Sequence, residues 1–423
     1  MYLSQTRAAD SARTSGGTAT VTAGSRADGA RTRVPATVLT LGAVSLVTDA
    51  SAEMVTAVLP LYLMYGLGVG YLQLGALDGL YTGATALLRL GGGYAADRLG
   101  RPKAVAATGY GLSALTKLGL PWLGTSAGSV GLLVAADRTG KGIRTAPRDA
   151  LITFAAPEEH LGRAFGVHRA LDATGALLGP LLAFAVLLAV PGDYDAVFMV
   201  SFLLAAAGVV LLAVCVRPDT TPSAAERTGC LRPYLRALHD RDALRVVVAA
   251  GLLGLVTAGD MFLYVALQRQ LDLPHHVLPL LPVGTALVFM AAAAPVGRLA
   301  DRVGRWRLFL AGHLLLLCAY VGVAAAPGGW VPAGIVLLLH GLFYAATDGV
   351  LIAHVGPVLP TRVRTTGLAV VQTSQALARA GGALAFGAVA AGVGLTAAFT
   401  AFAAALLVLV AGAAAAHAPR RTR

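Results

Sequence analysis

Charge is the scarcest ingredient of this chain. Of 423 residues only 13% are Asp, Glu, Lys or Arg, while 57% are apolar, and the mean hydropathy is +0.72. Soluble domains carry about a quarter charged residues, so an ordinary water-soluble globule is excluded, as is a disordered or collagen-like chain. Cysteine is nearly missing. Cys215, Cys230 and Cys318 are not spaced as a metal or redox motif, which excludes a disulfide-rich scaffold and leaves three free thiols. No catalytic constellation is visible either. The Gly91-Gly-Gly93 run lacks the Lys-Ser/Thr of a nucleotide loop, and His275-His276 is a lone pair without metal spacing. No polar break is long enough for a nucleotide-driven motor domain. An enzyme is therefore not expected, and neither is a cofactor or metal.

What is present is a succession of apolar runs with short polar breaks. They predict helices near 36–66, 72–96, 103–125, 128–146, 164–190, 194–216, 243–267, 276–299, 307–326, 331–356, 364–390 and 393–416. Each is long enough to cross a bilayer, which takes about 20 residues. The expectation is an all-α membrane protein of twelve helices. Residues 1–35 are polar and lack the apolar core of a signal peptide; they read as a disordered cytoplasmic tail. The break at 217–242 is the longest polar stretch after that tail. It separates a bundle of six helices (36–216) from a second (243–416), followed by a short tail at 417–423.

The cations are sorted. Counting from an inside N-terminus, the tails, the even-numbered breaks and their helix edges hold 29 of the 33 Lys and Arg. The odd-numbered breaks hold only Arg269, and Arg89, Lys117 and Arg379 fall inside helices. Cationic loops resist translocation, so both termini are expected in the cytoplasm of a multi-pass protein of the cell membrane. The net charge of +12 thus has a topological origin, and nucleic acid is not an expected partner.

The chain also repeats itself. Gly93-Tyr-Ala-Ala-Asp97-Arg98-Leu-Gly100-Arg101 matches Gly297-Arg-Leu-Ala-Asp301-Arg302-Val-Gly304-Arg305, 204 residues later. Arg163-Ala-Phe-Gly166 matches Arg364-Thr-Thr-Gly367, 201 residues later. Near-constant offsets argue for two homologous halves related by an axis along the membrane normal.

These residues resemble the major facilitator superfamily. Gly93 to Arg101 is similar to its signature between helices 2 and 3, with Pro102 and Lys103 following. Arg138-x-x-x-Gly142 resembles its helix 4 motif, and Gly175-x-x-x-Gly179-Pro180 its antiporter motif in helix 5, which here runs on into Leu181, Leu182 and Ala183. Asp137 to Asp149, with Arg148, resembles a bacterial subgroup of uncharacterised or efflux-type members. The resemblance implies that Asp97 braces the first half against the start of helix 11 and that Arg101 pairs with an acid on helix 4, Asp137 being the candidate. Asp301, Arg302 and Arg305 would do the equivalent work in the second half. On their own, the loops read as tight Asp-Arg-x-Gly turns with topogenic charge. Gly175, Gly179 and Pro180 read as close helix packing with a bend.

An ionisable group at membrane depth is costly and hence a functional candidate. Asp49 and Glu53 share one face of the first helix. Two carboxylates that close in low dielectric do not both ionise cheaply, which suits a proton carrier; a structural pair with Arg89, Lys117 or Arg379 is the other reading. Asp78, Arg89, Lys117, Asp260 and Arg379 are further cavity or interface candidates, as are Tyr81, Tyr264 and Tyr344. His168 and Asp172 read as members of a cytoplasmic charge network with Arg163 and Arg169. Together with the resemblance, these groups imply a secondary active transporter driven by an ion gradient, that of protons. Its expected work is export of a small organic compound by a monomer in the lipid bilayer. Uptake by the same fold is the alternative, and a membrane-embedded sensor or enzyme a remote one.

Overall fold

The computed structural model describes residues 34–99, 101–157, 161–216, 241–325, 328–355 and 364–416. Among them there are thirteen α-helices and no strand: α1 Ala36–Leu61, α2 Tyr71–Leu99, α3 Pro102–Leu123, α4 Ala127–Ala155, α5 Leu161–Ala189, α6 Tyr194–Cys215, α7 Arg241–Leu255, α8 Asp260–Gln270, α9 Leu280–Val303, α10 Arg305–Ala325, α11 Trp330–Val355, α12 Arg364–Val393 and α13 Leu395–Ala416. Nine helical stretches among the described residues are long and apolar enough to cross a membrane. The expected tail and linker lie outside the described residues at 1–33, 217–240 and 417–423, as does Gly100.

Two helices depart from the sequence expectation. The fourth was expected to stop near 146 but runs on to Ala155, through Pro147. The seventh was expected as one rod and is two, α7 and α8, parted at Val256–Gly259. No proline marks that break. Gly251, Gly254 and Gly259 lower helix propensity by about 1 kcal/mol each, and tertiary partners complete it. The Ala258 amide donates to Tyr320 Oη at 2.6 Å. Gly382 of α12 lies so close that a methyl there would come within 2.7–2.8 Å of the Gly254, Leu255 and Thr257 carbonyls.

Within lipid, apolar burial does not drive helix association; close packing and interhelical hydrogen bonds do. Both are used. Along α5, Gly175 and Gly179 lie against α1, where a side chain on Gly179 would meet Ala50 O at 2.5 Å and Glu53 Cβ at 2.7 Å. Ser51 of α1 and Ser201 of α6 exchange hydroxyl-to-carbonyl bonds of 2.6 and 2.7 Å. In the second half Phe386 packs tilted or edge-on against Phe262, Phe399 and Phe402, with ring centroids 4.7–4.9 Å apart. On the outside, α6 and α13 present Leu203, Val210, Val214, Leu407 and Val408, all more than half exposed. That apolar jacket suits a hydrocarbon solvent, not water.

The two halves meet mainly at one end. Gly75 and Gly79 of α2 sit against α12, a side chain on Gly75 reaching to 2.5 Å from Ala383 O and one on Gly79 to 2.6 Å from Ala380 O. Tyr65 Oη donates to Gln268 Oε1 at 2.9 Å, and its ring stacks on His275 at 4.2 Å. Arg269 donates to Tyr71 Oη, and Phe184 tilts against His276. This closed end is opposite the end that holds the Arg101 and Gly304 turns.

Candidate functional site

Above the closed end lies a cavity of about 230 Å³. The first half lines it with Glu53, Thr56, Asp78, Tyr81 and Pro180, the second with Asp260, Tyr264, Tyr344 and Arg379. The glycine contacts above explain how these side chains come together: α5 lets α1 lie close enough to present Glu53, and α12 lets α2 present Asp78. The break between α7 and α8 puts Asp260 at the start of a helix facing the cavity, not near the outer end of a continuous one. Asp78 Oδ2 presses into that break where a side chain on Gly259 would stand.

Asp49 sits behind Glu53, 6% exposed. It accepts from Arg144 Nη2 at 3.1 Å and lies 3.7 Å from Lys141 Nζ, which is also 4.0 Å from Glu53. The acids of α1 are therefore balanced from α4, not by Lys117 or Arg379, two of the partners expected from the sequence. The same helix face carries Arg138, Lys141, Arg144 and Arg148, spaced three to four residues apart. Arg138, Arg144 and Arg148 are buried. Counted as topogenic charge beside a cytoplasmic break, they are instead an internal cationic stripe. The three-to-four spacing on a single helix face was the signal that could have shown it.

Asp137 is another correction. The resemblance paired it with Arg101; the structure pairs it with Lys117 at 2.8 Å and with Arg138 beside it. Arg101 precedes the first residue of α3, whereas Asp137 meets Ser113 and Lys117 in the second half of that helix, so the two are far apart along its axis. Lys117 is thereby directed away from the cavity it was expected to line. Arg138 stacks over Tyr81, 3.9 Å from its centroid, and Arg144 over Tyr110 at 4.4 Å. Gly142 is buried on the same helix.

In the second half Asp260 accepts from Tyr344 Oη at 2.7 and 2.9 Å and lies 3.3 Å from His340 Nε2. Arg379 reaches Asp348 at 3.4 Å, with its guanidinium 5.7 and 5.5 Å from the Phe343 and Tyr344 ring centroids.

Nearer the other end of α1, Ser45 Oγ is 2.9 Å from His168 Nε2 and accepts from Arg148 Nη1 at 3.3 Å. Arg148 pairs with Asp149 at 2.9 Å and approaches Asp172 at 3.7 Å, where Arg169 also points. His168 and Asp172 thus join a charge network, but Arg148 stands at its centre. In the second copy of the loop motif, Arg305 holds Asp301 at 2.8 Å and donates to Ala353 O at 2.6 Å, tying α9, α10 and α11 within one half. Gly304 turns the chain with φ +103°; Gly297 and Arg302 lie on α9. The first copy, Gly93, Asp97 and Arg98, is in α2, but its side chains, like that of Arg89, lie outside the described residues.

Comparison with known proteins adds three findings. The family model described as Major Facilitator Superfamily matches residues 41–383. An uncharacterised transporter of that type from Methanocaldococcus jannaschii is 28% identical over 342 residues, 79% of this chain and 83% of its own. Among solved structures, the nucleoside transporter NupG superposes with a TM-score of 0.76 at 13% identity, over 91% of this chain and all of that one. A peptide transporter, POT, in complex with sulfate gives 0.75 at 15% identity, over 90% and 94%. At such identities the likeness is one of fold.

Proposed function

Since the chain belongs to the Major Facilitator Superfamily, we propose that it is a proton-coupled exporter of a small organic compound that works by alternating access. It is a multi-pass membrane protein of a transporter family. The observation that carries the proposal is the cavity itself: ionisable groups from both halves converge on it, and the halves close over one end. Rocking the halves about such a site opens it to each side in turn.

Twelve spans with both termini in the cytoplasm fit this reading. The closed end, with Tyr65, Gln268 and His275, is then the outer one. Of the two acids on α1, Glu53 is the proton acceptor in the proposed cycle, because Asp49 is tied to Arg144 and Lys141 while Glu53 borders the cavity. An external proton neutralises Glu53, substrate leaves outward, and deprotonation toward the cytoplasm resets the carrier. The plasma membrane of the cell is the proposed location and a monomer the working unit.

The test is flux in proteoliposomes of fixed orientation with an imposed pH gradient. Net movement of a solute against its own gradient, abolished by a protonophore, supports coupling. Accumulation on the cytoplasmic side assigns import instead, and flux indifferent to the protonophore removes the proton from the proposal.

A further inference from the structure

We propose that the cavity takes a small organic cation, an amine with one ring or a short apolar body. This rests on reading the cavity as the substrate site.

Among the described residues, four acidic or basic side chains line the cavity: Glu53, Asp78, Asp260 and Arg379. The balance of three acids to one base favours positive charge. The one base is already engaged, since Arg379 is directed at Asp348 and packs beside Phe343 and Tyr344. Among the described residues, the other cations of the interior are directed at other acids. Lys117 and Arg138 hold Asp137, and Arg144 holds Asp49. Lys141 is shared between Asp49 and Glu53, reaching the latter only at 4.0 Å. His340, which faces Asp260 from α11, offsets that acid only when protonated.

Asp78 is the second and independent observation. It is 8% exposed, borders the cavity and has no hydrogen bond or ion pair among the described residues. A buried carboxylate without a counter-charge is costly, and a ligand ammonium supplies both the charge and the hydrogen-bond donors. The rings of Tyr264 and Tyr344 give the remainder of such a ligand an aromatic wall, and aromatic faces attract cations as well. The cavity volume equals that of about eight waters, enough for one ring and a two-carbon ammonium arm. An anion would meet three carboxylates and a guanidinium already engaged.

The experiment uses the purified full chain and radiolabelled phenethylamine in a scintillation-proximity binding assay. 3-Phenylpropionate and 3-phenylpropan-1-ol serve as anionic and neutral competitors of nearly the same shape. The expected result is saturable amine binding, with both competitors weaker by about tenfold or more, a difference of about 1.4 kcal/mol. Asp78→Asn, folded by its melting profile, is expected to lose about tenfold in amine affinity. The proposal is overturned by a competitor that binds as tightly as the amine, by no saturable amine binding at millimolar concentration, or by a folded D78N that binds like the wild type. If D78N does not fold, the ranking of the three compounds on the wild type decides. Proteoliposome flux of the same three compounds separates this inference from the transport reading. Movement of the acid or alcohol but not the amine overturns the charge class alone. Amine binding without flux of any solute under any gradient overturns transport alone.

Discussion

Arg144 of α4 donates to Asp49 of α1 across 3.1 Å, and both side chains are almost fully buried. This ion pair fixes the register of two helices that are far apart in sequence, and it separates the roles of the two acids on α1. Asp49 has a cation of its own; Glu53 shares one and faces the cavity.

Removing the Asp49 charge should therefore be felt first in stability. Asp49→Asn leaves the Arg144 guanidinium buried without its counter-charge, which costs about 3–5 kcal/mol in comparable buried pairs. The expected outcome is a clear drop in the melting temperature of the detergent-purified protein. Arg144→Met in the same chain should restore part of it. Equal melting temperatures for wild type and D49N would show that the Lys141–Glu53 and Arg148–Asp172 contacts hold the region without this pair.

Glu53→Gln should behave oppositely. Glu53 approaches its cation only at 4.0 Å and is about a quarter exposed, so the amide fits with little loss of stability. The expected outcome is an unchanged melting temperature together with loss of pH-gradient-driven flux, while exchange of substrate down its own gradient persists. Driven flux that survives in E53Q would move the proton to another acid, Asp78 first.

Most helix ends were legible in the sequence because apolar runs and Arg- or Gly-rich turns alternate so sharply; the end of α4 was not, because the chain stays helical through Pro147 and the charged stretch to Ala155. Two further features were hidden. The break at 256–259 depends on Tyr320 and Gly382, which lie about sixty and a hundred and twenty residues away, and Val-Thr-Ala-Gly carries no local stop. The partners of the interior charges were likewise hidden. Asp49, Glu53 and Asp137 could each be singled out as buried acids, but which cation reaches which acid follows from the packing of α4 against α1 and α3. A loop motif had suggested Arg101 for Asp137; the neighbours Lys117 and Arg138 are closer along the helices and win. The cavity candidates Asp78, Asp260 and Arg379 were accessible to simple reasoning, because a charge in an apolar run has few other uses.

Gly304 offers a test of the second loop copy. Its φ of +103° is a conformation that L side chains adopt only with strain, and a Cβ there would meet nothing within 4 Å. Gly304→Ala thus carries a backbone penalty with no packing term. A loss of about 1–3 kcal/mol is expected, read as a modest fall in melting temperature, with Gly304→Asn losing as much, because its ψ of 127° lies outside the left-handed helical region that Asn tolerates. Equal stability of all three proteins would show that the turn relaxes freely around Arg305.

The strongest handle on the conformational cycle is Gly79. A side chain there would stand 2.6 Å from the Ala380 carbonyl and 3.7 Å from Ala380 Cα, both backbone atoms of α12 that cannot rotate away. Gly79→Leu should therefore wedge α2 from α12 at the end where the halves meet and favour the state open at that end. The readout is crosslinking between Tyr65→Cys and His275→Cys, whose native rings meet at 4.2 Å, by a flexible bis-methanethiosulfonate reagent, in a chain with Cys215, Cys230 and Cys318 replaced by Ala. The reagent should join the pair readily in that background and several-fold more slowly once G79L is added. Gly111→Leu, where a Cβ meets nothing within 4 Å, should leave the crosslinking rate unchanged and controls for a general loosening. The wedge acts on one end only, so labelling of a cysteine at Asp301, at the opposite end, should fall as that end closes. Crosslinking in G79L as fast as in its parent would mean that the α2–α12 contact does not hold the halves together.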